Sequence, residues 1–596
     1  MKLMPRRLTC LLVVMLAACA APRPGENAAA MPEGASGWQE KPGWASTSFA
    51  VAAANPLAAD AGFQVLRAGG SALDAAVAVQ MVLALVEPQS SGIGGGAFLL
   101  HFDGKSVAAW DGRETAPAAV DERLFLQPDG KPLPFLNAVV GGRAVGVPGA
   151  VKMLEAAHRA HGRLPWAQLL QPAIRLAEQG FAVSPRMHSQ LKSETALKQD
   201  AQAGAYFYRS DGEPHPVGHV LRNPALAQVL RVIAERGSAA LHEGAIAEDM
   251  VQRVRGHAVN PGRLTMADLA AYRVIQREPI CTEWKTIYRV CGMPPPSSGH
   301  LTLMQMLGIL ERHSTPPMLA ERLPSPAWLH HYTEAARLAF ADRGQYIADP
   351  DFVAPPAGRW TSLLDDAYLR QRALLVGQRS MNVAAPGTPA GAVRSYAPQP
   401  AQDEYGTSHI SIVDGDGRAV AMTTTVEAVW GARLMSDGGT GLAGGFLLNN
   451  QLTDFSHLPV DAQGDPIANR VQPGKRPRSS MSPTLVFDQS DGRLLMSLGS
   501  PGGAAIIHFT AKTLLATLDA GLNAQQAINL PNFGSFNGPT VLELGRFPSS
   551  TVQALQARGH QVVQMELTSG LQAIQRTPSG WFGGADPRRE GVVMGQ

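Results

Sequence analysis

The stretch DEYGTSHISIVDGDGRAVAMTTTVE, from Asp403 to Glu427, constrains this chain more than any other. A run without periodicity (375–406), carrying Pro, Gly and Ala, reads as a surface linker that ends at Gly406. At Thr407 an alternating strand starts at once, turns at Gly415-Asp416-Gly417 and returns as RAVAMTTTV. The texture also changes here. Upstream, VPGAVKMLEAAHRAHG, PWAQLLQPAIRLAEQG and NPALAQVLRVIAERG each carry Pro near the start and Gly at the end, as helices prefer. Downstream, GGFLLNNQLTDF, SPTLVFDQSDGRLLMSLGS and VVQMELT read as strands, with helices at AIIHFTAKTLLATLDAG and NAQQAINLP.

A strand opening on Gly-Thr is ordinary in itself, but it permits one specific chemistry. A Thr hydroxyl is a poor nucleophile without a base, and a chain-terminal Thr carries that base as its own α-amine. An α-amine in a simple peptide titrates at about 7.7–8.0, close to working pH. An internal Thr reaches this state only if the preceding peptide bond is cut, and its own hydroxyl can attack the Gly406 carbonyl to do so. Glycine tolerates the backbone strain such an attack imposes. A nucleophile of this kind is expected to be held rigidly at a sheet edge.

The remaining sequence bounds the setting. MKLMPRRLTCLLVVMLAACA has a basic start and an apolar stretch too short to span a bilayer, so residues 1–18 read as a signal. Leu16-Ala17-Ala18-Cys19 resembles a bacterial lipoprotein box, with Cys19 lipidated; ordinary signal cleavage nearby is the alternative. Residues 19–45 suit a flexible tether. Cys281 and Cys291 flank TEWKTIYRV, a hairpin candidate, and in an oxidising periplasm they pair as a disulfide or else remain two buried thiols. With 51 basic and 49 acidic residues the chain has no global field for nucleic acid, and membrane contact is expected only through a lipid. Gly92-Ile93-Gly94-Gly95-Gly96-Ala97 matches a dinucleotide pattern, but a helix precedes it and a strand follows, the reverse of what pyrophosphate binding needs. The 16 His form no metal-spaced cluster, and no metal or cofactor is expected.

From TSHISIVDGDGRAVAMTTTVE onward the chain resembles the gamma-glutamyltranspeptidase family of N-terminal nucleophile hydrolases. LLNNQLTDF, KRPRSSMSPTLV and LGSPGG follow in the family's order, and VEPQSSGIGGGAF, DGRETAP, MPPPSSG and ADRGQYIADPDF precede it. Together these blocks cover roughly residues 46–596. The resemblance implies an α/β, four-layer αββα sandwich made as one precursor. Processing at Gly406 would leave a large subunit, 46–406, and a small catalytic subunit, 407–596, held together as a heterodimer.

By the same resemblance, Thr407 is both the processing and the catalytic nucleophile, and Thr425 hydrogen-bonds it. Gly502 and Gly503 offer oxyanion-hole N–H groups. Arg113 takes the substrate α-carboxylate with help from Ser479 and Ser480, while Glu427, Gln451 and Asp454 grip the α-amino group. The implied substrates are glutathione and other γ-glutamyl compounds, the γ-glutamyl ester being resolved by water or by an amino-acid or dipeptide acceptor. The alternatives are a related glutaryl-cephalosporin acylase and an unprocessed, inactive surface lipoprotein. Three departures bear on acceptor preference and on the lid: His300 in place of a second Gly, a longer Trp430–Gly445 segment, and no aromatic residue in Ser456–Gly474.

Overall fold

A computed structural model describes residues 34–400 and 406–596. The signal, Cys10, Cys19, tether residues 19–33 and linker residues 401–405 lie outside the described residues. Ahead of the Gly406-Thr407 junction run strands β1 (Trp44–Ser46), β2 (Ala50–Ala53), β3 (Gly96–Phe102), β4 (Val107–Gly112), β5 (Ile275–Arg277), β6 (Ile280–Trp284) and β7 (Tyr288–Gly292). After it come β8 (Ser408–Val413), β9 (Ala419–Thr425), β10 (Thr484–Asp488), β11 (Leu494–Gly499), β12 (Gln572–Thr577), β13 (Gly580–Ala585) and β14 (Val592–Gly595). They form two antiparallel sheets, β14-β2-β8-β9-β3-β4-β5 and β1-β13-β12-β11-β10-β7-β6. Each of these two large sheets takes strands from both sides of the junction, so neither side holds either of them complete.

Side-chain alternation builds the layers, because successive residues of a strand face opposite ways. Ala50, Phe98, Leu100 and Ala421 of the first sheet meet Leu485, Phe487, Ile574 and Trp581 of the second. On the first sheet's other face, Val51, Leu99, Ile410, Ile412 and Met422 pack on helices α1 (Pro56–Arg67) and α2 (Ala72–Val86). Beyond the second sheet, Val290, Val486, Met496 and Ala573 meet α3 (Gly299–Leu310), α4 (Pro326–Tyr346) and α5 (Ile506–Leu514). The order is therefore helix, sheet, sheet, helix. Helix α2 is apolar all round and wholly buried, as a helix must be when it fills the inside of a layer. Ser71 and Asp74 close its first turn as a capping box.

Several local expectations change. Strand β8 begins at Ser408 and lies between β2 and β9, so Thr407 sits at the end of an interior strand and not at a sheet edge. At that end β8 pairs with β9, Ser408 facing Thr424, while β2 joins from Ser411 onward. GGFLLNNQLTDF is strand only at Phe446–Leu447; Gln451–Asp454 forms a 3-10 turn. That turn stacks residues i and i+3, and it brings Gln451 Nε2 within 2.9 Å of Asp454 Oδ2. Residues 34–45, expected as tether, dock instead: Ser36 and Gln39 N–H donate to Arg588 and Pro587, and Trp38 lies under the Arg546 guanidinium.

Other readings hold. The Gly92–Gly96 loop joins a helix to a strand and serves close packing, since a Cβ on Gly95 would lie 2.1 Å from the Thr425 carbonyl oxygen. Cys281 and Cys291 face each other across β6 and β7, and their sulfurs are bonded. No helix among the described residues is long and apolar enough to cross a membrane.

Candidate active site

The linker reaches the first sheet at Gly406, whose φ of +38° is a conformation that favours glycine. Thr407 follows, 2% exposed, still joined to Gly406 as in a precursor. Its hydroxyl contacts the Gly406 carbonyl oxygen, and the Thr425 hydroxyl donates to the same oxygen at 2.9 Å. Thr425 ends β9, directly beside β8, and its Oγ1 accepts from the Glu427 N–H at 2.8 Å. The peptide unit is held from behind as well. Arg589 Nη1 donates to the Thr407 carbonyl at 3.4 Å, and the Ser408 hydroxyl donates to Glu87 at 2.6 Å.

One small pocket gathers Thr407, Thr425, Arg113, Gln451, Asp454, Ser479, Ser480 and Gly503, with Met481 and Ile506 as its apolar wall. Eight of the ten residues that the sequence nominates for catalysis and binding thus meet in one place. Gly502, beside Gly503, has φ +130°, and the pair opens the turn that leads into α5. Glu427 stands two residues past Thr425 with φ +79°, strained for a residue with a Cβ. Asn450 Nδ2 and the Thr453 hydroxyl both donate to its carboxylate.

Arg113 leaves the end of β4 and is fully buried. Its Nη2 donates to Asp454 and to the Arg478 carbonyl at 2.9 Å, and its Nε to the Pro477 carbonyl at 3.1 Å. Nη1 has no partner among the described residues, and neither has Gln451 Oε1. Buried polar atoms are normally paired, so hydrogen-bonding capacity left over in a pocket marks a place for a ligand.

The sequence nominated side chains that face the pocket and missed those that hold them. Tyr272 donates its hydroxyl to the Arg113 carbonyl at 2.9 Å. Arg343 donates to the Ser480 hydroxyl at 2.5 Å. Asn469 donates to the Asp454 carbonyl at 2.8 Å and accepts from Arg478 N–H at 2.9 Å, clamping both halves of the Arg113–Asp454 pair. Arg343 and Asn450 lie inside the recognisable blocks ADRGQYIADPDF and LLNNQLTDF and were findable there; Tyr272 and Asn469 carry no local signal. His300 is packed in α3 with Nε2 3.0 Å from the Thr282 hydroxyl, where burial pushes its pKa down to about 3. Residues 456–474, the candidate lid, include buried Ile467, Ala468 and Asn469.

Two other places invite comparison. A far larger cleft, about 950 Å³, is lined by Arg143, Asp200, Arg253, Arg433 and neighbours. Its lining includes no Ser, Thr or Cys, and Arg253 and Arg433 are paired with Asp200 and Glu194. His330, Glu334 and His560 come together with the spacing of metal ligands, a grouping hidden in the sequence because 230 positions separate the two His. Hydrogen bonds account for that cluster. Arg337 donates to Thr540, the Thr540 hydroxyl to His560 Nδ1, His560 Nε2–H to His330 Nδ1 at 2.7 Å, and His330 Nε2–H to the Gly377 carbonyl. Glu334 is taken by Arg337, Ser380 and the Met381 N–H.

Known proteins resemble this chain over most of its length. The family described as gamma-glutamyltranspeptidase matches residues 58–596. The glutathione hydrolase proenzyme of Escherichia coli (strain K12) is 36% identical over 549 residues, covering 90% of each chain. An acylase ACY 1 proenzyme of Pseudomonas sp. (strain V22) is 34% identical, over 92% of this chain and 93% of that one. Among solved structures, a cephalosporin acylase from Bacillus halodurans superimposes with a TM-score of 0.79 at 27% identity, over 94% of this chain and 97% of its own. A match of that extent, on a chain whose Gly-Thr junction, buried Arg and double-glycine turn meet in one pocket, leaves a single assignment: the chain belongs to the gamma-glutamyltranspeptidase family.

Proposed function

We propose that Thr407 cuts its own chain from Gly406 and then acts as an N-terminal nucleophile on γ-glutamyl amides, so that the protein is a gamma-glutamyltransferase and glutathione hydrolase. The observation that carries this is the buried pairing of Arg113 with Asp454 in the same pocket as Thr407. A guanidinium and a carboxylate are complementary to the two ends of an amino-acid zwitterion. They neutralise each other across a direct contact. An incoming α-carboxylate and α-ammonium replace that internal pair charge for charge, so neither protein group is left buried and unpaired.

In processing, Thr407 Oγ1 attacks the Gly406 carbonyl carbon. The Thr425 hydroxyl stabilises the negative charge that grows on the carbonyl oxygen. The Gly406–Thr407 C–N bond breaks, an ester links Gly406 to Thr407 Oγ1, and water hydrolyses that ester. The freed α-amine is then the base that takes the hydroxyl proton when Thr407 attacks the γ-amide of a substrate. Backbone N–H groups of Gly502 and Gly503, at the positive end of the turn leading into α5, stabilise the tetrahedral oxyanion. Ser479 and Ser480 assist at the carboxylate; Gln451 and Glu427 join Asp454 at the ammonium. The amine product leaves, and water or an amino-acid or dipeptide acceptor resolves the γ-glutamyl ester. The scheme requires no metal or cofactor.

The two pieces, 46–406 and 407–596, stay associated because both sheets interleave strands from each. Lipidation at Cys19 and a periplasmic location complete the reading. Denaturing mass analysis and N-terminal sequencing test it: two chains are expected, one beginning at Thr407. A wild-type protein that remains one chain and is active overturns it.

The acylase relatives support a second reading, cleavage of a glutaryl amide. The acidic pair Glu427 and Asp454 favours the first, because a glutaryl group has no ammonium to meet it. Release rates from γ-glutamyl and glutaryl anilides separate the two.

A further inference from the structure

Glu114 follows Arg113 in sequence and takes no part in the scheme above. It is fully buried, packed so closely that a Cβ on Gly96 would lie 2.3 Å from its Oε2 and one on Gly146 2.8 Å from its Cβ. Neither carboxyl oxygen has a hydrogen-bond partner among the described residues. The charged and titratable groups around it are Arg113, Asp454, Asp111 and Tyr272. The cations are already engaged. Arg113 is held by Asp454 and two carbonyls, and Arg277 and Arg476 are paired with Asp111. A carboxylate at this spot would have at most its own backbone N–H as donor and no cation of its own, and such a group takes up a proton instead. Burial pushes Glu114 up to about 8; Arg113 opposes the rise while Asp454 and Asp111 add to it.

We propose that Glu114 is a positioning residue that works as a neutral acid: uncharged, it leaves the Arg113 charge to the substrate α-carboxylate, and when it ionises in alkali it draws that charge to itself. The idea rests on the head-group reading given above. It assigns the binding site an upper pH limit that is separate from the acid limb set by the Thr407 α-amine. That amine must lose a proton to work, whereas Glu114 must keep one.

The test is the ratio of KM at pH 9 to KM at pH 7 for a γ-glutamyl anilide, with water as acceptor. For a group that titrates near 8 and blocks binding when ionised, the wild-type ratio gains a factor of about ten over the substrate's own titration. Glu114→Gln is expected to lose that factor whatever its absolute activity. Glu114→Asp is expected to shift the midpoint along the pH axis. A wild-type KM that stays flat to pH 9 overturns the proposal. So does an unchanged ratio in Glu114→Gln, or, where that variant does not process, an unmoved midpoint in Glu114→Asp. Failure to release anilide at any pH would instead break the γ-glutamyl reading itself, so the two failures remain distinguishable.

Discussion

The candidate pocket and the His330–His560 cluster are both buried polar groupings assembled from either side of residue 407. They differ in what they leave over. In the cluster each ring nitrogen is engaged, and the chain of donors runs from Arg337 to the Gly377 carbonyl without a gap. In the pocket, Arg113 Nη1 and Gln451 Oε1 have no partner among the described residues. A satisfied network can act as a structural clamp, whereas spare capacity in a pocket has to be met by something that arrives from outside.

Each side of that contrast can be broken separately. Thr407→Ala is expected to give a single uncut chain on a denaturing gel and to lower activity by about 10⁴-fold or more, since nucleophile and base disappear together. Arg113→Ala removes the cation that faces buried Asp454 and should cost about 3 kcal/mol, near 100-fold in kcat/KM. Arg113→Lys should recover only part of this, because a point charge does not reproduce the fork. In the cluster, His560→Ala is expected to lower stability by about 2 kcal/mol in urea titration and to leave KM unchanged. A large shift in KM there would dissolve the distinction.

Acid should also find the cluster. Burial, with Arg337 beside it, holds His560 down to about 3, against 6.5 for an ordinary histidine. Between those values the unfolded chain binds the extra proton, so stability present above pH 6.5 is lost as pH falls toward 3. From pH 7 to pH 5 the loss is about 2 kcal/mol for each such histidine. His409, His508 and His300, also held near 3 by burial, should add to it. The smallest effect expected is none: a chelator should leave the melting temperature unchanged. A drop would put a metal between His330 and His560.

Much of the site was legible as sequence because the nominated residues sit in short blocks whose chemistry is local. Arg113 lies in DGRE, Gln451 and Asp454 are three apart, and Ser479-Ser480 and Gly502-Gly503 are adjacent; singly each block is ordinary, and the resemblance to the family gave each its role. The supporting shell was less legible. Tyr272 reaches Arg113 across 159 positions, and nothing near Tyr272 signals the contact. The expected strand at GGFLLNNQLTDF failed for a related reason. Apolar content suits a strand, but placing Gln451 and Asp454 side by side requires a 3-10 turn, a demand made by partners elsewhere in the chain.

By itself the sequence determined the repertoire: a Gly-Thr junction at the head of a strand, alternation enough for two sheets, and a set of polar groups suited to an amino-acid head group. Those are matters of spacing and residue type, which a linear chain records directly. Only the tertiary structure decided that Thr407 ends an interior strand, that Arg113 meets Asp454, and that the Glu114 carboxyl is sealed away from water and from every cation but one already engaged. Each depends on which distant segments are brought within a few ångströms, and on how much water that contact excludes.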